Sequence, residues 1–493
     1  MLSVLEQRRV ALSRSTDAAR KAKLGQFLTP ASTATFMAGL FTNTQGEQCR
    51  LLDAGAGIGS LSCAFLEQCA TGKLCFGHVD VEAFEIDHAL HAELERSLSG
   101  FTGRLPLDFE INAKDFIEEA VRRIIYGHGS NFTHAILNPP YKKIGNGSYH
   151  RRIMQDVKIE VVNLYAAFVA LAIALMAEGG QLVAIIPRSF CNGPYYRPFR
   201  DYLRRKTALR RMHLFESRNT AFKDDGVLQE NLILHLEVGG RQEAVVVSHS
   251  LDDQFTDLAV QAYPFARIVV PTDSERCIHV PQGDSGAEAL SAVCTHTLSE
   301  LGISVSTGPV VDFRLREYLR DLPEPGTIPL LYPGHFGAQA LEWPKVGLRK
   351  PNAIQRNPAT EKWLYPNGHY CVVRRFSSKE EKRRIFASVV RPDAFADATM
   401  LGFENHLNVF HDGKHGLPAA LARGLAVYLN TSTVDRGFRS FNGHTQVNAT
   451  DLKVIKYPSR EMLMELGASV TEVPQDQHAI DALVKEISEH GKR

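Results

Sequence analysis

The sequence predicts an α/β protein, a parallel sheet with helices packed on it, followed by a smaller mixed α/β domain. Three observations predict this. Strand-like and helix-like stretches alternate from about residue 50 to 240, the pattern of a parallel sheet with crossover helices. A glycine-rich turn, "DAGAGIG", separates the first of these strands from the first helix. After about residue 300 the alternation is lost, and aromatic, Arg, Asn and Gly residues rise. At 493 residues the chain exceeds one ordinary core, so more than one domain is expected. The boundaries read as residues 1–240 for the α/β domain and 241–300 for a mixed, Pro-containing connection. Residues 301–460 then form the second domain and 461–493 a polar, helical tail.

The elements of the first half follow in order. "MLSVLEQRRVALSRSTDAARKAK" is a charged amphipathic helix without the apolar core of a signal peptide, and Glu6 and Asp17 argue against a transit peptide. "RLLDAGAGIGSLSCAFLEQC" reads as strand, glycine turn and helix, and "LCFGHVDVEAFEIDHALHAELERSL" as a strand running into another helix. "HAILNPPY" is a short apolar strand that stops at two prolines, which cannot donate to a sheet ladder. "NLYAAFVALAIALMAEGGQLVAIIP" is a long apolar helix, a Gly-Gly stop and a fully apolar strand, and "NLILHLEV" closes the region as a last strand.

Composition excludes several classes. A hydrophobic fraction of 44% and a charged fraction of 23% are those of a globular protein. No apolar run reaches the roughly 18 residues that cross a bilayer, so no membrane partner is expected. The eight cysteines include no C-x-x-C pair, which speaks against a zinc knuckle or a disulfide framework; no metal is expected. Cys63, Cys69 and Cys75 read as buried thiols, and a reducing, cytoplasmic setting follows. The net charge of +1 hides an asymmetry, because residues 301–460 hold 22 Lys and Arg against 14 Asp and Glu. Such a half suits a polyanion, although many solvated surfaces look similar.

Three motifs, "LLDAGAGIG", "FEID" and "AKDF", follow the order of a nucleoside pocket. Gly55, Gly57 and Gly59 let the backbone approach a ligand and aim a helix N-terminus at its polar groups. A dinucleotide turn is similar, but here the third glycine comes one position early and Asp53 precedes the glycines. That acid is placed for the cationic amino group of an amino-acid ligand. Glu85, near the end of the next strand, can accept both hydroxyls of a ribose. Asp115 can accept from an adenine amino group while Phe116 covers the ring. Each acid by itself would also serve as an ordinary surface residue, and the glycines as a tight turn.

The segment Asn138-Pro139-Pro140-Tyr141 carries the chemistry. It projects two acceptors, the Asn138 side-chain oxygen and the Pro139 carbonyl, beside the flat face of Tyr141. The prolines hold the acceptors at fixed φ. The complementary guest is a planar group with an exocyclic NH2: adenine, cytosine or a glutamine amide. Accepting both amine hydrogens turns the nitrogen lone pair towards an electrophile and stabilises the positive charge that develops there.

"LGQFLTP", "DAGAGIG", "FEID", "AKDF", "ILNPPY", "NLYAAF" and "AFKDDGVLQENLIL" occur in the order of the gamma-class N6-adenine DNA methyltransferases, which the chain resembles over roughly residues 20 to 460. "VSTGPVVDFRLR", "RRFSSKEEKRR", "ENHLNVFH" and "FNGHTQVNATDLK" resemble the PstI/BsuBI type within the TaqI-like enzymes. The resemblance implies a Rossmann-like S-adenosylmethionine-dependent methyltransferase domain and a C-terminal DNA target-recognition domain. It implies that Thr29 and Pro30 help to hold the methionine part of the cofactor, with Asp53, Gly55 and Gly57. Glu85, with Ile86 beside it, then faces the ribose, and Asp115 with Phe116 the cofactor adenine. Asn138, Pro139, Pro140 and Tyr141 form the target-base site, and Phe222 sandwiches the flipped base from its other side.

The expected partner is double-stranded DNA. Arg374, Arg375, Lys382, Arg383 and Arg384 suit its phosphates, and Asn442, His444 and Gln446 its base edges or backbone, while each also suits a solvated or capping role. Arg151, Arg152, Arg204, Arg205 and Lys206 could flank the same duplex. No remaining span holds a convincing carboxylate cluster for a nuclease, so a cognate restriction endonuclease would be a separate chain. The rival readings are an RNA or protein-glutamine N-methyltransferase, which can share Asn-Pro-Pro-Tyr, and a non-catalytic DNA-binding protein on a decayed methyltransferase fold.

Overall fold

The computed structural model describes residues 2–15, 28–43, 46–127, 131–216, 230–281, 293–337, 341–378, 381–395 and 397–490. The chain divides into two units, Met1–Gln282 and Gly283–Arg493.

The first unit is built on nine strands: β1 Gly46–Ala54, β2 Phe76–Phe84, β3 Leu107–Asn112, β4 Phe132–Leu137, β5 Met176–Pro187, β6 Thr207–Phe215, β7 Asn231–Val238, β8 Val245–Ser250 and β9 Ala259–Tyr263. They form one sheet in the order β3-β2-β1-β4-β5-β7-β6-β8-β9. The first five strands of that order run parallel, and β7 inserts antiparallel between β5 and β6. Among the described residues the eight main helices are α1 Leu2–Ser15, α2 Ala31–Ala38, α3 Ser60–Ala70, α4 His88–Ser99, α5 Phe116–Tyr126, α6 Tyr149–Asp156, α7 Leu164–Leu175 and α8 Arg197–Lys206. They bury both faces of the sheet in two apolar clusters. That burial is why β4 and β5 read as continuous apolar runs rather than alternating ones. The strand order reverses between β1 and β4, and ligands of open α/β sheets bind in the crevice at such a reversal, beyond the carboxyl ends of the strands.

Three local expectations are corrected. The Gly-Gly pair does not end α7. The helix stops at Leu175, and Gly179 and Gly180 lie inside β5, where its register against β4 shifts. Gly179 has φ +77°, and a Cβ on Gly180 would stand 2.9 Å from the Ala177 carbonyl oxygen, so the pair makes an irregularity that only glycine fits. The connection expected over 241–300 instead begins with β8 and β9, which complete the sheet. Among the three cysteines read as buried thiols, Cys63 is buried and Cys69 partly so, but Cys75 is exposed; all three are free. Among the described residues, no helix is long and apolar enough to cross a membrane.

The second unit holds β10 Ser304–Thr307, β11 Leu319–Arg320, β12 Thr327–Leu331, β13 Ala353–Gln355, β14 Leu364–Pro366, β15 Tyr370–Arg374, β16 Ala387–Val390, β17 Met400–Phe403 and β18 Leu407–His411. These make a four-stranded sheet, β10-β18-β15-β16, and a five-stranded one, β11-β13-β12-β17-β14. Five helices follow: α9 Ala419–Leu429, α10 Ser432–Phe441, α11 Ala449–Val454, α12 Arg460–Ala468 and α13 Gln477–His490. The region expected as a tail from residue 461 is thus structural. α12 packs on α9 backbone to backbone: a Cβ on Gly467 would lie 1.7 Å from the Ala420 carbonyl oxygen, and one on Gly424 would lie 1.8 Å from that of Leu463. Neither backbone can yield alone. Gly467→Val is therefore expected to lower unfolding stability by about 2–3 kcal/mol or more, read as a drop in denaturation midpoint.

Candidate active site

The turn after β1 makes the first wall of the site. Gly55, Gly57 and Gly59 all have positive φ, of +83°, +58° and +85°. At Gly57 a side chain is doubly excluded, because its Cβ would meet the Leu28 methyl at 2.9 Å. The N–H groups of Gly55 and Ala56 both donate to the Phe84 carbonyl at 2.9 Å, which ties the turn to the end of β2.

Glu85 stands just past that strand end and is buried. Its Oε2 accepts the Gly57 N–H at 2.8 Å and its Oε1 the Asp87 N–H at 2.7 Å. Burial raises its pKa, against the pull of those two N–H donors. A carboxylate has about four acceptor positions, so hydroxyl donors remain compatible with this arrangement. Ile86, half exposed, lies at the rim of the same space.

Asp115 caps α5, accepting the Glu118 N–H at 3.1 Å, and pairs with His150 Nε2 at 3.1 Å. Burial would raise its pKa, but the His150 hydrogen bond and the cap N–H groups outweigh it and hold the carboxyl low. The same hydrogen bond raises the pKa of His150. Phe116 is buried next to it, with its ring 5.2 Å from Phe84 and 5.0 Å from Phe168.

The Asn-Pro-Pro-Tyr turn closes the other side. The Asn138 amide Nδ2 donates to Thr29 Oγ1 at 3.0 Å, and its Oδ1 accepts the Tyr141 hydroxyl at 3.0 Å. That hydroxyl also lies 3.2 Å from the Ile185 carbonyl oxygen. Burial pushes the Tyr141 phenol well above its ordinary pKa, so it stays a neutral donor. Pro139 is buried and Pro140 partly exposed, as is the Tyr141 ring. The glycine turn and this turn adjoin, since a Cβ on Gly55 would sit 3.8 Å from the Asn138 carbonyl oxygen.

Between them lies a cavity of about 210 Å³ whose lining includes Thr29, Gly55, Gly57, Glu85, Ile86, Asp115, Phe116, Asn138 and Pro140. Sequence reasoning named those residues and missed others. Leu164 and Phe168 also line the cavity; they are four apart on α7, so one helix face presents both. His150 and Lys142 line it too, and nothing local in the sequence marks His150, which meets Asp115 across 35 positions. Pro30 is the buried residue that precedes α2 and is not in the lining. Phe222 lies outside the described residues.

Asp53 corrects an expectation. It is fully buried beneath the turn and does not line the cavity. Its Oδ2 accepts the Ser62 hydroxyl at 2.6 Å, and its Oδ1 has no hydrogen-bond partner among the described residues. Burial raises its pKa to about 7, against the Ser62 hydrogen bond. The folded state therefore keeps a proton that the unfolded chain, with the ordinary value of 3.8, has released. Stability should fall as pH rises from about 4 to about 7, on the order of 1 kcal/mol per pH unit. Asp53→Asn should flatten that slope in denaturation series across the same window.

In the second unit the expected DNA-contacting residues separate. Arg384 and Asn442 are fully buried, which corrects their assignment to phosphate and base. Arg384 Nη2 donates to Asn442 Oδ1 at 3.1 Å and to the His444 carbonyl at 2.5 Å, and its Nε donates to Ser377 Oγ at 3.1 Å. Asn442 Nδ2 donates to the Gln446 carbonyl at 3.0 Å. This pair pins the loop after α10. Lys382 is exposed, whereas Arg374, Arg375, Arg383, His444 and Gln446 are partly exposed.

The chain is similar to the type II methyltransferase M.BsuBI of Bacillus subtilis, with 50% identity over 477 residues, 95% of this chain and 94% of that protein. It is 40% identical over 489 residues to the type II methyltransferase M.PstI of Providencia stuartii, covering 97% of this chain and 95% of that one. The Eco57I restriction-modification methylase family matches residues 85–222. Among solved structures, the type IIL restriction-modification enzyme MmeI in complex with DNA resembles 99% of this chain, using 76% of its own, at TM-score 0.54 and 10% identity. A nuclease-deletion mutant of the type ISP enzyme LlaGI resembles 90% of this chain, using 54% of its own, at TM-score 0.51 and 11% identity. Those two likenesses are of fold.

Proposed function

The chain belongs to the type II methyltransferases of restriction-modification systems, and from that premise we propose that it transfers a methyl group to N6 of an adenine rotated out of duplex DNA. One observation carries this reading: the cavity behind the glycine turn and the Asn-Pro-Pro-Tyr turn share a wall, with Asn138 and Pro140 lining the space that Gly57, Glu85 and Phe116 also line.

The residues present fit S-adenosylmethionine. Phe116, Ile86 and Phe168 offer an apolar slot for its adenine, Glu85 a carboxylate for the ribose, and the side-chain-free turn at Gly55 and Gly57 a close approach for the methionine end. Asp115, between a helix cap and His150, supplies an acceptor at the adenine edge. When bound, the cofactor supplies an electrophilic methyl on a sulfonium.

The chain's own residues then do the rest. Rotating a base from the stack costs a few kcal/mol, which stacking against an aromatic face of roughly 1–3 kcal/mol offsets. Tyr141 is the first such face, and Phe222 is assigned the second. Asn138 and the Pro139 carbonyl accept the two amine hydrogens and aim the lone pair, so positioning and polarisation supply the rate. Thr29 decides which end of the Asn138 amide faces the base. By taking the Nδ2 hydrogen it leaves Oδ1 as the acceptor. Thr29→Val should therefore lower kcat by up to roughly tenfold, one neutral hydrogen bond being worth about 0.5–1.5 kcal/mol, and Thr29→Ser should restore it.

Residues 1–240 with the β8–β9 extension form the catalytic domain, and residues 301–460 with the helices beyond them form the target-recognition domain. The reaction belongs in the cytoplasm, where the DNA is, and the nuclease it guards against is a separate chain. Incubation of the protein with duplex DNA and methyl-labelled cofactor, followed by nucleoside analysis, tests the reading. Label in N6-methyladenine is expected; label in cytosine, or none in duplex DNA, overturns it.

A further inference from the structure

A second concave surface lies wholly within the second unit. It is a cleft of about 480 Å³ over β15 and β16, walled by the segment Thr471–Gln475 between α12 and α13. Among the described residues, four arginines line it, Arg374, Arg383, Arg391 and Arg423, with a single carboxylate, Glu472.

Phe386 orders two of the four. Arg374 lies 4.2 Å and Arg383 5.5 Å from its ring centre, so the ring holds both guanidinium groups in place without neutralising them. The remaining donors are under-used. Arg374 pairs with Glu381 through Nη2, and its buried Nε has no hydrogen-bond partner among the described residues. Arg383 spends Nη1 on the Asn430 carbonyl at 3.0 Å, and Arg423 spends Nε on that of Gly467 at 2.8 Å. Arg391 meets Glu472 at 3.3 Å and, more loosely, Asp393 at 3.9 Å, a pair of contacts with all three side chains about half exposed or more. Such a pair is weak and easily exchanged. Burial also holds the Arg383 pKa below its ordinary value, although the carboxylates of Asp435 and Asp481 act the other way, so its burial is not fully compensated.

The geometry points to this cleft as a phosphate-binding site for the DNA backbone, in which Glu472 is the internal counter-ion that an entering phosphate displaces. The assignment rests on the DNA-methyltransferase reading. It adds Arg391, Arg423 and Glu472, none of which the linear pattern of basic clusters singles out. Guanidinium forks match phosphate oxygens in pairs, which suits arginine rather than lysine here. A site of this kind fixes the register of the protein on the duplex and reads no sequence.

The test measures binding of the full chain to two duplexes, one carrying the methylated sequence and one lacking it, across a salt series. In the Arg391→Gln/Arg423→Gln double variant, the slope of log affinity against log salt should shrink by about 2, roughly one per lost phosphate contact, and equally on both duplexes. The Arg391→Lys/Arg423→Lys variant should keep most of the slope. Glu472→Gln, which removes no arginine, should tighten both duplexes severalfold, and it carries the test should the double variant fail to fold. An unchanged slope, a loss confined to the duplex with the methylated sequence, or no gain from Glu472→Gln overturns the site. A slope reproduced equally by competing inorganic pyrophosphate, with no difference between variants on DNA, assigns the cleft to free phosphoanions and overturns the backbone role. Wild-type methyl transfer, measured on the same samples, reports separately on the parent reading: activity that persists while the slope is unchanged sinks only the cleft.

Discussion

Asn138→Ala should abolish methyl transfer, by a factor of roughly 1,000 or more in kcat, while cofactor binding survives. Removing one preorganised polar contact at a reacting centre typically costs about 100- to 1,000-fold. Here the loss exceeds that of a single acceptor. The Asn138 amide is held at both ends, by Thr29 and by Tyr141. Alanine deletes the acceptor and one of the two oxygens within reach of the Tyr141 hydroxyl, leaving the Ile185 carbonyl, so the aromatic face loses part of its anchor together with the amine's partner. The cavity itself keeps Glu85, Phe116 and the glycine turn. Single-turnover transfer and titration calorimetry separate the two effects, and wild-type turnover in the variant would refute the assignment.

Glu85→Ala should do the reverse and remove the cofactor. The carboxylate bridges the two halves of its pocket, since one oxygen holds the Gly57 N–H and the other the Asp87 N–H. Its loss strips the acceptor proposed for the ribose and leaves the Gly57 N–H without that partner, while the Gly55 and Ala56 bonds to the Phe84 carbonyl remain. Hydrogen bonds to a charged group contribute about 1.5–3 kcal/mol each, so two of them predict a rise in Kd of 100-fold or more. Glu85→Gln should fall between, retaining one oxygen. Saturating cofactor should recover much of the turnover of Glu85→Gln and none of that of Asn138→Ala. A Kd for Glu85→Ala within a few-fold of wild type would place the ribose elsewhere.

How far the sequence disclosed these sites differs residue by residue, for physical reasons. The parallel half was legible because a sheet buried on both faces writes long apolar runs, as at β4 and β5. The glycine turn was legible because positive φ at three positions demands glycine. β8 and β9 were not, because β9 at the sheet edge is largely exposed and shows no burial period to read. Among Lys382, Arg383 and Arg384, composition is nearly uniform, yet only Arg384 is turned fully inward, towards Ser377 and Asn442. That choice is made by partners far along the chain, as is the union of Asp115 with His150. Asp53 shows the same limit. Its place after β1 is legible, but its occlusion under Ser62 is a property of packing.

The close crossing at Gly424 and Gly467 constrains how the second unit could be exchanged. Chimeras that exchange the second unit between relatives should place their junction ahead of residue 283 and carry the donor's sequence through residue 490. A cut at 460 would leave one partner of the crossing facing a foreign helix, and any Cβ there would meet a carbonyl oxygen. Transplants that respect this seam inherit the donor's packing intact, so any change in their behaviour reports on the exchanged unit itself.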